Sequence, residues 1–282
     1  MARAPAVAIL SLALLSCGRG HRGVVVGSKN FTEQLILGEI AAQQLERRLG
    51  QPVERRLNLG GTLLAHNALV KGEIDLYPEY TGTSLTAVLK QPPASSAEEV
   101  LHRVREGYRR WNLEWLDPLG FNNTFAMVVR GADARAGNIR TLTEARRRRW
   151  TLGAGYEFAT RPDGLSGFEK TYGLSLNGPP LTMDLGLLYQ ALEGRKIDMA
   201  AGNSTDGLIS ARDFAILDDD KHYFPPYQAA FVIRSGLSAP ARNALSELSG
   251  AFSDESMRRL NYEVVGKHRP IPEVARQFLS SR

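Results

Sequence analysis

The phrase ALVKGEIDL (Ala68–Leu76) is answered by ALEGRKIDM (Ala191–Met199). In each, an apolar helical stretch stops near a glycine and a short Ile-Asp strand follows. What precedes each phrase is also alike. Val24-Val25-Val26 reads as a strand, and Gly27-Ser28-Lys29-Asn30-Phe31 as a polar loop. Leu35, Ile36, Ile40, Ala41, Leu45 and Leu49 then recur at a helical period until Gly50. Asn30 and Glu33 have the spacing of a helix N-cap and its reciprocal carboxylate. In the second half, Trp150-Thr151-Leu152 reads as a strand and Gly153–Phe158 as a loop, with a helix through Asp184–Glu193. The spacing predicts short strands at Ile74–Leu76 and Ile197–Met199. Helix–Gly–strand units also recur by chance, so the echo draws its weight from the alternation of strands and helices around it. That alternation predicts an α/β fold of two similar lobes.

Phe125–Arg130 and Ala230–Arg234 both read as apolar strands that end in Arg, and they bracket the second half. If each crosses between lobes, lobe 1 comprises residues 24–125 plus 234–282 and lobe 2 residues 126–233, with the stretch from Pro240 to Phe278 packing as helices on lobe 1. Ligands of open α/β sheets bind beyond the carboxyl ends of the strands. The cleft between the lobes should therefore gather Lys29–Phe31, Tyr77–Thr83, Tyr156–Arg161 and Asn203–Asp206.

The composition, 43 % hydrophobic and 23 % charged, is that of a water-soluble globular chain. Its formal net charge of +5 includes the run Arg146–Arg149. No zinc spacing or aromatic RNA-binding motif accompanies that run, so it reads as a solvated helix face and no nucleic-acid partner is expected. The N-terminus carries Arg3, an apolar run from Ala6 to Leu15, and then Ser16-Cys17-Gly18. This is a secretory signal (residues 1–16), too short to span a bilayer. Leu14-Leu15-Ser16-Cys17 resembles a bacterial lipobox, and Cys17 is the chain's sole cysteine. The expectation is a lipid-anchored protein of the periplasm or cell surface.

Six motifs in order, GSKNFTEQLILGEI (Gly27–Ile40), DLYPEYTGT (Asp75–Thr83), LGFNNTFAMVVR (Leu119–Arg130), RPDGLSGFEKTYGL (Arg161–Leu174), STDGLI (Ser204–Ile209) and DDKHYFPPYQA (Asp219–Ala229), resemble the substrate-binding proteins of ABC importers for glycine betaine, carnitine and choline. The resemblance implies a two-lobed periplasmic-binding-protein fold of type II and a quaternary ammonium ligand, handed to permease and ATPase subunits by a monomer without cofactor or metal. A trimethylammonium group has charge but no hydrogen to donate, so the faces of aromatic rings must hold it. The carboxylate of a betaine needs charge-assisted donors.

Carried over by position, Tyr80 and Tyr227 match cage tyrosines. Phe125 stands where the family usually has Tyr, keeping the ring and losing the hydroxyl. Asn203 stands where the family often has another Tyr and offers no ring face. Lys29, Thr83 and Arg161 match positions that hold the carboxylate. A carboxylate at position 83 would favour a purely cationic ligand such as choline, whereas Thr tolerates a zwitterion. Asn123, two positions before Phe125, either lines the cleft or caps a turn. Tyr77 reads as packing, and Arg161 has a plain alternative in pairing with Asp163.

No catalytic residue is expected. Gly164-Leu165-Ser166-Gly167-Phe168 lacks the last glycine of a nucleophile elbow. The five His are scattered, and Gly153-Ala154-Gly155 is not a dinucleotide fingerprint. Two alternatives remain open: a ligand-sensing module rather than an importer subunit, and a bulkier betaine such as ergothioneine, for which Asn203 and Asn123 would supply hydrogen bonds.

Overall fold

The computed structural model describes residues 23–282. The apolar leader and Cys17, on which the secretion and lipidation expectations rest, lie outside the described residues. Along the chain, the elements that place the cleft are β1 (Val25–Gly27), α1 (Thr32–Leu49), β2 (Glu54–Arg56), α2 (Thr62–Val70), β3 (Leu76–Tyr80), α3 (Ala97–Tyr108), β4 (Leu113–Trp115) and β5 (Phe125–Arg130). They continue with β6 (Leu152–Ala154), α4 (Tyr156–Thr160), α5 (Leu165–Tyr172), β7 (Leu181–Thr182), α6 (Leu188–Glu193), β8 (Met199–Asn203), α7 (Gly207–Ala211), β9 (Phe214–Ile216) and β10 (Ala229–Arg234). Three helices close the chain: α8 (Ala239–Ser246), α9 (Asp254–Val265) and α10 (Ile271–Ser280).

Two five-stranded sheets follow one plan: β2-β1-β3-β10-β4 in the first lobe and β7-β6-β8-β5-β9 in the second. In each, three strands run parallel and the fourth, β10 or β5, runs antiparallel. Each antiparallel strand sits at a crossing, since β5 opens the second lobe and β10 re-enters the first. β10 therefore belongs wholly to the first sheet, and the return crossing falls before Ala229, not at 233 as expected. An apolar six-residue strand reads alike in either sheet; its partner Asp settles the matter. Arg130 of β5 pairs with Asp198 at 2.9 Å, and Arg234 of β10 lies 3.6 Å from Asp75.

The repeated phrase has a repeated job. A Cβ on Gly27 would sit 2.4 Å from Ile74 Cδ1, and one on Gly153 2.5 Å from Ile197 Cδ1. Neither glycine leaves room for a side chain, so strand and Ile lie in direct contact. Asp75 N–H donates to Val25 O at 2.8 Å, and Asp198 N–H to Thr151 O at 2.8 Å. The Asp carboxylates accept in return from Val25 N–H and Thr151 N–H. Ile-Asp thus fixes the third strand to the first in both lobes.

Several boundaries differ from the sequence reading. β3 starts at Leu76 and runs to Tyr80, through Pro78, so both tyrosines lie within a strand rather than past its end. Pro78 is tolerated because β1 pairs with β3 only at Leu76, leaving no ladder bond for the missing N–H on that side. Trp150–Leu152 is divided into Arg149–Trp150 and β6, and the strand expected at Ile197–Met199 is β8, Met199–Asn203. The N-cap of α1 is Phe31 with no side-chain cap, so the Asn30–Glu33 capping pair does not form. Glu33 is buried instead. The closing helices pack on α1, and α9 also touches α7 of the second lobe.

Candidate functional site

A cavity of about 390 Å³ lies between the lobes. Lys29, Tyr80, Thr83, Asn123, Phe125, Arg161, Asn203 and Tyr227, all nominated from the sequence, line it. Phe31, Gly61, Tyr156, Glu157 and Phe158 join them. Tyr80 ends β3, Phe125 opens β5, and Asn203 ends β8 directly opposite Phe125 in the ladder. The loops beyond strand ends supply the rest, including a helical turn, Thr81–Thr83, that passes into a π-helical stretch, Ser84–Val88. Tyr77 is fully buried among the first lobe's core residues, as its packing role requires.

The rings fall into two groups. Tyr80 and Phe31 are near-parallel with centroids 6.3 Å apart. Phe125 meets Tyr227 edge-on at 5.9 Å and Phe158 at 5.1 Å. Each group already faces a cation of the protein. Lys29 Nζ lies 4.7 Å from the Tyr80 centroid, and the Arg161 guanidinium carbon lies 5.0 Å from that of Phe125 and 5.9 Å from that of Tyr227. These are the distances at which ring quadrupoles attract positive charge.

Buried carboxylates hold both tyrosines by their hydroxyls. Tyr80 donates to Glu33 at 2.7 Å and Tyr227 to Asp163 at 2.5 Å. Glu33 also accepts from Asn123 Nδ2 (2.7 Å), Thr205 Oγ1 (2.5 Å) and Asn261 Nδ2 (2.9 Å). Four donors fill the four lone-pair directions of one carboxylate. They come from β3, the crossing segment, the loop after β8 and α9, so this single side chain ties both lobes to the cage. Burial pushes the Glu33 carboxyl up, and the four hydrogen bonds only partly offset this. Asp163 accepts from both Arg161 Nε and Nη2, and from Thr86 Oγ1 at 2.8 Å. Burial works against its charge, but the Arg161 guanidinium and these hydrogen bonds outweigh it and hold the Asp163 carboxyl below its usual range.

The expected carboxylate grip is therefore internally engaged. Lys29 donates to Glu79 at 2.5 Å, both side chains being almost fully buried. Arg161 takes the pairing with Asp163 that was its plain alternative, and its Nη1 donates to Thr83 Oγ1 at 3.2 Å. Asn123 lines the cavity and bonds Glu33; it caps no turn. Sequence reasoning named Asp163 only as the alternative partner of Arg161 and Glu33 only as a capping residue, and it missed Glu79 and Glu157. Glu79 abuts Tyr80, so local proximity could have flagged it. Nothing local links Glu33 to Tyr80 across 47 positions.

Two lobes joined by two crossings, with a ring-lined cavity between them, define the class of periplasmic binding proteins of type II. Among solved structures, a glycine betaine/carnitine/choline ABC transporter protein superposes with a TM-score of 0.77 at 32 % identity, over 92 % of this chain and 98 % of that one. The profile of the substrate binding domain of ABC-type glycine betaine transport systems matches residues 22–281. The chain belongs to that family. The carnitine transport binding protein of Listeria monocytogenes is 32 % identical over 95 % of this chain and 92 % of its own length. An ergothioneine transport permease/ergothioneine binding protein of Helicobacter pylori is 35 % identical over 92 % of this chain and 47 % of its own length. No helix among the described residues is long and apolar enough to cross a membrane.

Proposed function

We propose that this chain is the extracytoplasmic, membrane-tethered solute-binding component of an ABC importer, that it works as a monomer with permease and ATPase subunits, and that it binds a quaternary ammonium osmoprotectant such as glycine betaine. The observation that carries this reading is the pair of ring groups at one cavity, each facing a positive charge at 4.7–5.9 Å. A trimethylammonium group suits the same faces of Tyr80, Phe125 and Tyr227. Lys29, Thr83 and Arg161 stand where a betaine carboxylate would be addressed. Lipidation at Cys17 would supply the tether.

Calorimetric titration of the protein with glycine betaine, carnitine, choline and ergothioneine tests the reading. Micromolar binding of one of them is expected, and heat from none would remove it. Tyr80→Ala and Tyr227→Ala should each weaken that binding about tenfold or more, since a desolvated ring face contributes about 2 kcal/mol. Unchanged affinity in both variants would sink the cage. A second reading, a bulkier betaine with its own hydrogen-bonding ring, draws on the amide of Asn203 beside Phe125. Asn203→Tyr separates the two: tighter glycine betaine binding means a restored wall, and weaker binding means that the amide itself contacts ligand.

A further inference from the structure

The charges at the cavity do not balance. Lys29 and Arg161 are the cations of its lining, and the buried Glu79 and Asp163 behind it pair with them. Two carboxylates of the lining remain. Asp184 is exposed and accepts from Gly186 N–H at 2.9 Å, which leaves Glu157 as the lining carboxylate that faces the two cations. It stands on α4 of the second lobe and reaches across the cleft to the start of α2 in the first. Its Oε1 accepts from Thr62 N–H at 2.6 Å and its Oε2 from Thr62 Oγ1 at 3.2 Å, while Arg161 Nη1 lies 3.6 Å away. Lys29 Nζ donates to the same Thr62 hydroxyl at 3.4 Å. The N-cap of α2 is Gly61, which has no side chain to offer. A Cβ there would sit 2.7 Å from Glu157 Oε1, so the glycine makes room for a carboxylate from the other lobe. Burial opposes the charge of Glu157, but Lys29, Arg161 and the Thr62 donors outweigh it, so the group is held ionised. Glu33 and Asp206 add no positive charge to the balance.

We propose that Glu157 selects the charge type of the ligand: its carboxylate occupies the anion position of the cleft, so that a cationic quaternary ammonium compound without a carboxylate is favoured over a zwitterionic betaine. The inference rests on the quaternary ammonium reading above and, within that class, ranks a ligand without a carboxylate ahead of glycine betaine. A cation adds to a cavity with surplus negative charge and leaves the Glu157–Thr62 contact in place. A betaine brings a second carboxylate toward Lys29 and Arg161, and must either displace Glu157 or sit beside it unscreened. Thr83, which by itself tolerates a zwitterion, is already engaged by Arg161.

The test is titration of wild type and Glu157→Gln with choline and with glycine betaine at low ionic strength. Glutamine keeps the size and the cross-cleft reach but removes the charge. Glycine betaine should bind about fivefold or more tighter to the variant, and choline several-fold weaker. If Glu157→Gln weakens both ligands equally, Glu157 is only a closing contact between the lobes and the proposal falls. If glycine betaine already outcompetes choline on the wild type and the variant does not change the ratio, it also falls. If neither protein binds either ligand while both melt cooperatively, the quaternary ammonium reading itself has failed.

Discussion

Arg161→Ala is expected to destabilise the protein by about 3–5 kcal/mol at pH 7, the usual cost of removing one partner from a buried ion pair. For a chain of this size that lowers the melting temperature by about 10 °C. Asp163 has a side chain only 2 % exposed, and without the guanidinium it keeps the hydroxyls of Tyr227 and Thr86 alone. The pH dependence carries a sign. The folded Asp163 carboxyl lies below its unfolded value, so its contribution is complete above about pH 4 and is lost as pH falls through the folded value. The gap between wild type and Arg161→Ala should therefore be widest at neutral pH and shrink toward pH 3. Urea unfolding at pH 7 and pH 3.5 reads this directly. Arg161→Ala with Asp163→Asn should recover part of the loss, because no unpaired buried charge remains. A gap below about 1 kcal/mol at pH 7, or one that does not change with pH, would show that the pair is not what holds Asp163.

The lobes were legible in the sequence because the features that define them are local. Gly27 with Ile74 and Gly153 with Ile197 make the same strand-to-strand contact twice, so one phrase had to appear twice. The two strand-ending arginines stood out for the same reason, each being the partner of one Ile-Asp unit. What the pattern could not show was which sheet β10 joins, since its partner Asp75 lies far away in sequence. The rings of the cavity were legible only through resemblance to a family: Tyr80 lies in a strand whose alternation Pro78 obscures, and nothing in composition separates a cage tyrosine from a core one such as Tyr77. The carboxylates behind the rings were least legible. Glu33 occupies the N3 position of a plausible capping pair, a local explanation that conceals its use. Its four partners are spread from Tyr80 to Asn261, and only the folded chain assembles them.

That assembly makes Glu33 the second site of large expected effect. Glu33→Ala removes one acceptor from Tyr80, Asn123, Thr205 and Asn261 together; Asn261 Nδ2 keeps Thr205 O, but the other three buried donors are left without partners beside a small void. Each orphaned group costs about 1 kcal/mol or more, so a loss of about 3 kcal/mol or more is expected. Glu33→Gln should cost much less. The Oδ1 atom of Asn123 is buried without a partner, so that amide can turn to accept from the new Nε2, and the hydroxyls of Tyr80 and Thr205 can rotate. The pH trend runs opposite to that of Asp163. Burial raises the folded Glu33 carboxyl, so its contribution is complete below the unfolded value near 4.5 and declines as pH rises through the folded one. The margin of wild type over Glu33→Gln should thus narrow with rising pH, whereas the margin over Arg161→Ala widens. Binding should follow: the Tyr80 ring loses its anchor in Glu33→Ala, and affinity for a trimethylammonium ligand should fall in that variant more than in Glu33→Gln. Equal stabilities of the Ala and Gln variants would mean that the four donors find water or one another as readily as they find Glu33, and that the cage is positioned by packing alone.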